Sequence, residues 1–472
     1  MIRACTAGAF DRAAIRDAAI IGAGMLVMAA VILLSLELGR DTAIMVLLPL
    51  GLVAAVAGAW VFLLACAGDV RAMLAFLAVL VFVNDALFRV RDPGEVGMDW
   101  QNAMKFGLWA GAGAIGVCTL PQSWRLLRGG ALGWLTAYLG YAMLSSLYSA
   151  APTYSFATAF GFISMGLFAL ALAALASERQ ILLAFALSLL AFTLAGWVAY
   201  FALPEVGRSL FITSHGTVVE RMCGLAGQPN ALGNDLAVYT ALVFLLWYRG
   251  HVGWVAAAVL GGAGLVTLLV ADSRTALLAV MAGIVAVVLR RSVWLWGSAL
   301  FGTAVLALLA LSVRLRDLLS ISGGLSRSGD SSEFFTLTGR TEIWEFAWDK
   351  IVLSPWVGYG YNSSKFILPE FNGLPGLKVD EAHNMLLQNL LAVGIVGTVP
   401  LLCMIAQMLA DFVRAPDARR DVFTILMLIW GITVAGAFGS TPTVLSLAIF
   451  CGLALTQRDL VLPPLLPVRR QP

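Results

Sequence analysis

Long uninterrupted apolar runs, each closed by a short polar stretch, make up most of this chain. Runs of about twenty apolar residues are long enough to cross a bilayer as an α-helix. They lie at 18–38, 42–68, 70–88, 103–120, 131–149, 153–176, 180–203, 231–249, 252–271, 275–290, 293–313, 384–411, 422–438 and 442–457. Apolar and polar positions do not alternate within them, which excludes a transmembrane β-barrel. The pattern predicts an all-α polytopic membrane protein, a bundle of about fourteen helices, since a helix satisfies its own backbone groups in lipid. The first run follows Arg3, Arg12 and Arg16. It is too long for a signal-peptide core and is read as a retained helix.

One segment breaks the pattern. Between Arg314 and His383 the chain carries seven basic and nine acidic residues, so this stretch belongs in water at one membrane face. Its Gly- and Ser-rich start, 320–332, predicts a flexible connection. Residues 341–353 follow helical spacing, with Trp344, Trp348 and Ile351 on one side and Glu342, Glu345 and Asp349 on another. Ser354-Pro355 ends that helix, and its aromatic face predicts an amphipathic helix lying in the membrane interface. The chain thus divides into N-terminal spans (1–203), a region built around the loop 314–383 (204–457) and a C-terminal tail (458–472).

Composition agrees with this reading: 60% of residues are hydrophobic, 12% are charged, and mean hydropathy is +0.90. Charge placement sets the orientation. With the N-terminus inside, sixteen of the thirty Lys and Arg residues fall in short inner loops or tails, as the positive-inside rule expects. Both termini are therefore predicted in the cytoplasm and 314–383 in the periplasm. The six cysteines are scattered and lack metal-ligand or paired spacing, so neither a disulfide framework nor a zinc site is expected.

Several outer residues run against the charge bias. Arg208 and Arg221 lie in the 204–230 loop, Arg274 in the break Asp272-Ser273-Arg274-Thr275, and Arg340 at the start of the loop helix. An arginine at a span end can simply snorkel to the headgroups, with Asp272 as a partner. An anionic ligand at the outer face also explains the set, because guanidinium suits bidentate phosphate recognition. Arg340 sits where a helix dipole disfavours a cation, which points to a specific partner. Glu342 fits either an acid–base role or a favourable first-turn carboxylate. His383, at the junction of loop and next span, is either a hydrogen-bonding residue or a base. Asp85 and Asp235 are carboxylates inside spans, functional suspects or interhelical ties. No nucleotide-binding, hydrolase or metalloprotease motif is present, and nothing points to nucleic acid.

Ser273-Arg274-Thr275, Thr338-Gly339-Arg340-Thr341-Glu342-Ile343-Trp344, Ser354-Pro355 with Gly358-Tyr359-Gly360, and His383-Asn384 before a Leu-rich span occur in that order. Together they resemble the O-antigen polymerase and ligase (Wzy/WaaL-like) superfamily over roughly residues 205–400. Arg221 ahead of Gln228-Pro229-Asn230 fits as well. The resemblance implies a membrane glycosyltransferase of the GT-C type in the bacterial inner membrane, active at the periplasmic face without a metal or other cofactor. Its donor is a polyprenyl-diphosphate-linked glycan and its acceptor another glycan or the lipid A core. On that basis His383, Arg274 and Arg221 are expected to be catalytic, and Arg340, Arg208 and Glu342 to bind substrate. Polymerisation of O-antigen or exopolysaccharide units is the leading activity and ligation to lipid A core the alternative. A transporter or lipid flippase is the rival from another class. It would place charges near the midplane of related halves, whereas here the polar signals gather at one face.

Overall fold

The computed structural model describes residues 55–87, 99–127, 129–212, 218–289, 340–371, 379, 381–382, 384–414 and 442–461. The predicted spans at 18–38, 293–313 and 422–438 lie outside these residues, as does the 320–332 connection.

Among the described residues, helices occupy the predicted spans: α1 (Ala55–Cys66), α2 (Val70–Asn84), α3 (Trp100–Cys118), α4 (Gly130–Ser145), α5 (Pro152–Leu175) and α6 (Glu178–Ala202). A hairpin of β1 (Arg208–Ile212) and β2 (Val218–Met222) follows. Then come α7 (Pro229–Tyr248), α8 (Trp254–Val270), α9 (Arg274–Leu289), the loop helix α10 (Arg340–Leu353), α11 (Met385–Arg414) and α12 (Val444–Val461). Four of these are long and apolar enough to cross a membrane, α5, α6, α7 and α11. A fifth is added if α3 and the helical residues after it, bent by 65°, are one span.

α5 packs against α3 and α12, α4 against α11, and α7 against α6, α8 and α9. Small residues allow the close approaches that hold helices together where apolar burial gives no advantage over lipid. A Cβ on Gly116 of α3 would come within 2.5 Å of the Leu167 side chain of α5, and one on Gly113 within 2.7 Å of Ser164 Oγ. Bulky rings fill the interior between the closer pairs: Phe82 meets Phe192 edge-on, and Phe162 meets Tyr361 and Phe450.

The hairpin amends the all-α expectation. Its strands pair antiparallel with Ser209 opposite Arg221. Its first residue follows Gly207, which lies so close to the end of α6 that a Cβ would overlap the Tyr200 amide. Beyond β2, Gly224 (φ +52°) brings its backbone against Gly196 of α6, where a Cβ would lie 3.1 Å from the Gly196 Cα. The hairpin is thus pressed onto the bundle.

The loop helix buries a stripe of Ile343, Ala347 and Ile351, the last of them from the expected aromatic side. Trp344 donates its indole N–H to the Ala382 carbonyl at 2.8 Å, and Trp348 is 53% exposed. With Ile367, Leu368 and Leu391 the stripe forms a second small core, set between the loop and the start of α11.

Residues 355–360 enter the bundle where α11 is broken. Gly394 has φ +61° inside α11, a left-handed conformation open mainly to glycine. The break unpairs backbone groups, and the loop satisfies them. Tyr359 and Gly360 N–H donate to the Leu391 and Ala392 carbonyls at 3.0 and 2.8 Å, while Ile395 and Val396 N–H donate to Pro355 and Trp356 at 2.9 and 3.1 Å. On the other side, Tyr361 N–H donates to Ser145 Oγ and Ala150 N–H to the Tyr359 carbonyl. The Gly358-Tyr359-Gly360 turn is therefore a wedge locked between α4, α5 and α11.

Candidate functional site

The site is built where α8 ends and α9 begins. α8 stops at Val270, and residues 271–273 turn the chain, with Asp272 at φ +46°. Such a conformation is uncommon for a residue with a side chain, but Asp and Asn enter it more readily than most. The turn packs on the start of α7, where a Cβ on Gly233 would overlap the Ser273 side chain.

Arg221 on β2 reaches this turn. Strand alternation sends it away from the α6 side of the hairpin, and only 6% of it remains exposed. Its Nε donates to the Ala271 carbonyl at 3.1 Å, and its Nη2 to the Asp272 carbonyl at 2.8 Å and Asn230 Oδ1 at 3.2 Å. These backbone oxygens close the C-terminal end of α8, where unpaired carbonyls favour a cation. Asn230 lies in the first turn of α7, so one guanidinium joins β2, α7 and α8.

Arg274 opens α9 with 47% of its side chain exposed. Its Nε lies 3.4 Å from Asp272 Oδ1, and Asp272 Oδ2 lies 4.0 Å from Arg221 Nε. The two expected arginines thus converge, and the Asp272 carboxylate stands between them. The Asp272–Arg274 pair is the partnership anticipated for a snorkelling arginine. Its extension to Arg221 lies 51 positions away, and the sequence groups the two arginines by their outer position without indicating that one turn joins them.

Arg208 leaves the hairpin on the other face, with Glu220. It donates to the Tyr200 carbonyl at 2.9 Å, lies 3.3 Å from Glu220 and stacks 4.6 Å above the Tyr200 ring. The structure therefore ties Arg208 to α6 and does not bring it to the Arg221–Arg274 pair. Glu342 is exposed in the first turn of α10, with no described contact to either arginine. The Arg340 side chain and His383 lie outside the described residues, as does Asp380. Cys223, just past β2, is a poor nucleophile: burial raises its thiol pKa, outweighing the opposing pull of its backbone hydrogen bond and Arg221.

Two further polar groupings were missed as groupings. Asp235 of α7 is buried and faces Asp85, with Lys105 of α3 in electrostatic range. Asp85 accepts from the Val444 N–H at 3.0 Å, and Asn84 beside it bridges the Trp109 indole and the Pro442 carbonyl at 2.8 Å each. These carboxylates tie α2, α7 and α12 together. The second grouping lies under the loop wedge. The Asn362 amide and the Ser363 hydroxyl are buried there without a protein partner, beside Gln388 and Ser364, which bond to each other at 2.5 Å. Among the described residues, no three His, Cys, Asp or Glu side chains converge as a metal site.

All these groups share one end of the bundle. The other end holds Arg249 paired with Glu178, and Arg458 donating to the Ala173 and Ala176 carbonyls. Residues 256–402 match the family described as O-antigen ligase, which supports the O-antigen polymerase and ligase superfamily. The matched stretch contains Arg274, the loop, the glycine wedge and the α11 break, and stops short of Arg208 and Arg221 on its N-terminal side. No curated protein matches the chain.

Proposed function

With an O-antigen ligase domain at residues 256–402, we propose that this membrane protein transfers a polyprenyl-diphosphate-linked glycan to an acceptor hydroxyl at the periplasmic face of the bacterial inner membrane. The observation that carries this reading is the meeting of Arg221 and Arg274 at one turn at the polar end of the bundle. The donor's leaving group is a diphosphate on the anomeric carbon. As the bond to that carbon breaks, negative charge grows on the departing oxygen. A guanidinium fixed beside it stabilises the transition state more than the ground state. In this reading Arg274 contacts the diphosphate, Arg221 holds the turn that aims it, and Arg340 and Glu342 approach from the loop helix. His383 takes the acceptor's proton. The cations supply the positive charge, so no metal is required. The exposed Trp348, Val352, Leu353 and Trp356 would sit among the lipid headgroups and tails, keeping the loop over the membrane.

Polymerisation of repeat units remains the leading activity. Ligation to lipid A core is the second reading, favoured by the description of the matching family. A deletion strain separates them. Glycans of a single repeat unit would mark a lost polymerase, and long lipid-linked chains left unattached would mark a lost ligase. Normal lipopolysaccharide and secreted polysaccharide would reject both.

A further inference from the structure

The anion site described above already contains an anion. The Asp272 carboxylate lies at the N-terminal end of α9, between Arg274 at 3.4 Å and Arg221 at 4.0 Å. A helix N-terminus flanked by guanidinium groups is where a phosphate oxygen would bind. Asp272 occupies the equivalent place from within the chain.

The two arginines hold it differently. Arg221 is buried and bonded to two carbonyls and Asn230, so it stays in place whatever Asp272 does. The Asp272–Arg274 pair is open to water on both sides, with side-chain exposures of 32% and 47%. An ion pair this exposed contributes little and is readily exchanged for another anion.

We propose that Asp272 is a release residue. Its carboxylate holds Arg274 when no diphosphate is bound, gives way to the donor, and returns to displace the product. The proposal rests on the diphosphate reading of the site. Its chemical basis is a charge change during the reaction. In the transfer, the acceptor oxygen bonds to the anomeric carbon while the bond from that carbon to the diphosphate oxygen breaks. The acceptor's proton goes to the base, and the electron pair leaves with the diphosphate. The donor is esterified at both ends and carries about two negative charges. The departing polyprenyl diphosphate has a free terminal phosphate and carries close to three at neutral pH. The product is therefore held more tightly at Arg274 than the donor was. An internal carboxylate competing for Arg274 offsets that gain, and its repulsion acts more strongly on the more highly charged ligand.

Asp272→Asn tests this with little disturbance, because asparagine also tolerates positive φ and retains the side-chain shape. Asp272→Gly is the second variant, free of backbone strain at this φ. Full-length purified enzyme would be assayed with lipid-linked donor, and polyprenyl diphosphate used as inhibitor. Both variants should bind polyprenyl diphosphate about tenfold more tightly or better and turn over more slowly at steady state. Their first turnover should be at least as fast as the wild type's, because the same repulsion acts on the charge growing in the transition state, so a product burst should precede the slowed steady state. Weaker product binding with a slowed first turnover would overturn the proposal and make Asp272 a support for the turn. Unchanged product binding in both variants would also overturn it. The underlying reading fails separately, if Arg274→Ala leaves donor and product affinity at wild-type values.

Discussion

Arg221 donates to the main-chain oxygen of Asp272 at 2.8 Å while keeping only 6% of its own surface in water. Arg274, two positions after that aspartate, is half exposed. The two arginines at one turn should therefore fail differently. Arg221→Ala strands the buried Ala271 carbonyl and unties β2 from the turn and from α7, and should lower unfolding stability by about 3 kcal/mol. Arg274→Ala removes the exposed pair with Asp272 and should cost less than about 1 kcal/mol, yet should weaken donor binding and turnover strongly. Arg274→Lys should rescue little, since an ammonium lacks the planar fork. Thermal melts and donor titrations on the purified variants check both halves. A stable, inactive Arg221→Ala would shift direct contact with the diphosphate onto Arg221.

The wedge at residues 355–360 predicts a second pair of variants. A Cβ on Gly394 would overlap the Trp356 carbonyl, and one on Gly358 would come within 2.6 Å of the Leu391 carbonyl oxygen. Both contacts are with backbone, and both residues have positive φ, so nothing can move aside cheaply. Alanine at either position should cost at least about 2 kcal/mol and expose the loop to protease ahead of the bundle. Limited proteolysis of Gly394→Ala beside an exposed control, Gly140→Ala, would show it. Equal cleavage patterns would contradict the wedge.

These contrasts mark what the sequence could and could not convey. The spans are legible because membrane helices need long apolar runs, and among the described residues helices stand on those runs. The α11 break is not, because Gly394 lies in an apolar stretch whose composition never changes. Only the partner segment, more than thirty residues earlier, reveals why the helix opens there. The hairpin escaped notice because Arg208–Ile212 and Val218–Met222 are short and lack a tight-turn dipeptide between them. On α10 the helical period was legible, but not that Ile343 and Ala347 join Ile351 in a protein contact. Tryptophan at a water–lipid boundary stays partly exposed, and Ile343 and Ala347 fill the protein contact. Asp272 could be paired with Arg274 from sequence because they are neighbours, whereas Arg221 needed the fold to reach them.

Acid should loosen the end of the bundle opposite the site. His251 follows α7, and its pKa is lowered from the ordinary 6.5, first by burial and then by Arg179, with Glu178 pulling the other way and Arg249 adding the least. A histidine with a lowered folded pKa takes up a proton on unfolding. Stability from its neutral form is thus present above pH 6.5 and declines as the pH falls below that value. Melting curves from pH 8 to 5 should show this decline, and His251→Asn should flatten it. A wild-type profile already flat across that range would contradict the assignment.

The orientation has its own check. Single cysteines in place of Asp330 and Arg291, on a cysteine-free background, should differ in intact spheroplasts. An impermeant maleimide should label position 330 in the loop and spare position 291. The motivation is the excess of arginines in the short inner segments. The reverse labelling would turn the protein over and remove the periplasmic reading.

His383 should act as the general base. It sits in sequence between the polar loop and the first turn of α11, and Ala382 just before it is fixed from two directions. The Ala382 carbonyl accepts from Trp344, and its N–H donates to Gln388 Oε1 at 2.9 Å. The backbone on its N-terminal side is thus anchored to the loop helix and to α11 together, as a residue that must meet an acceptor hydroxyl requires. Imidazole titrates near neutrality without strong perturbation, so it can receive a proton during transfer while starting neutral. His383→Ala should lower turnover by about a hundredfold or more and leave donor binding intact. Turnover near the wild-type rate would remove His383 from the mechanism. Donor binding lost in a folded variant would make it a diphosphate ligand, and Glu342→Gln would become the next variant to assay for the missing base.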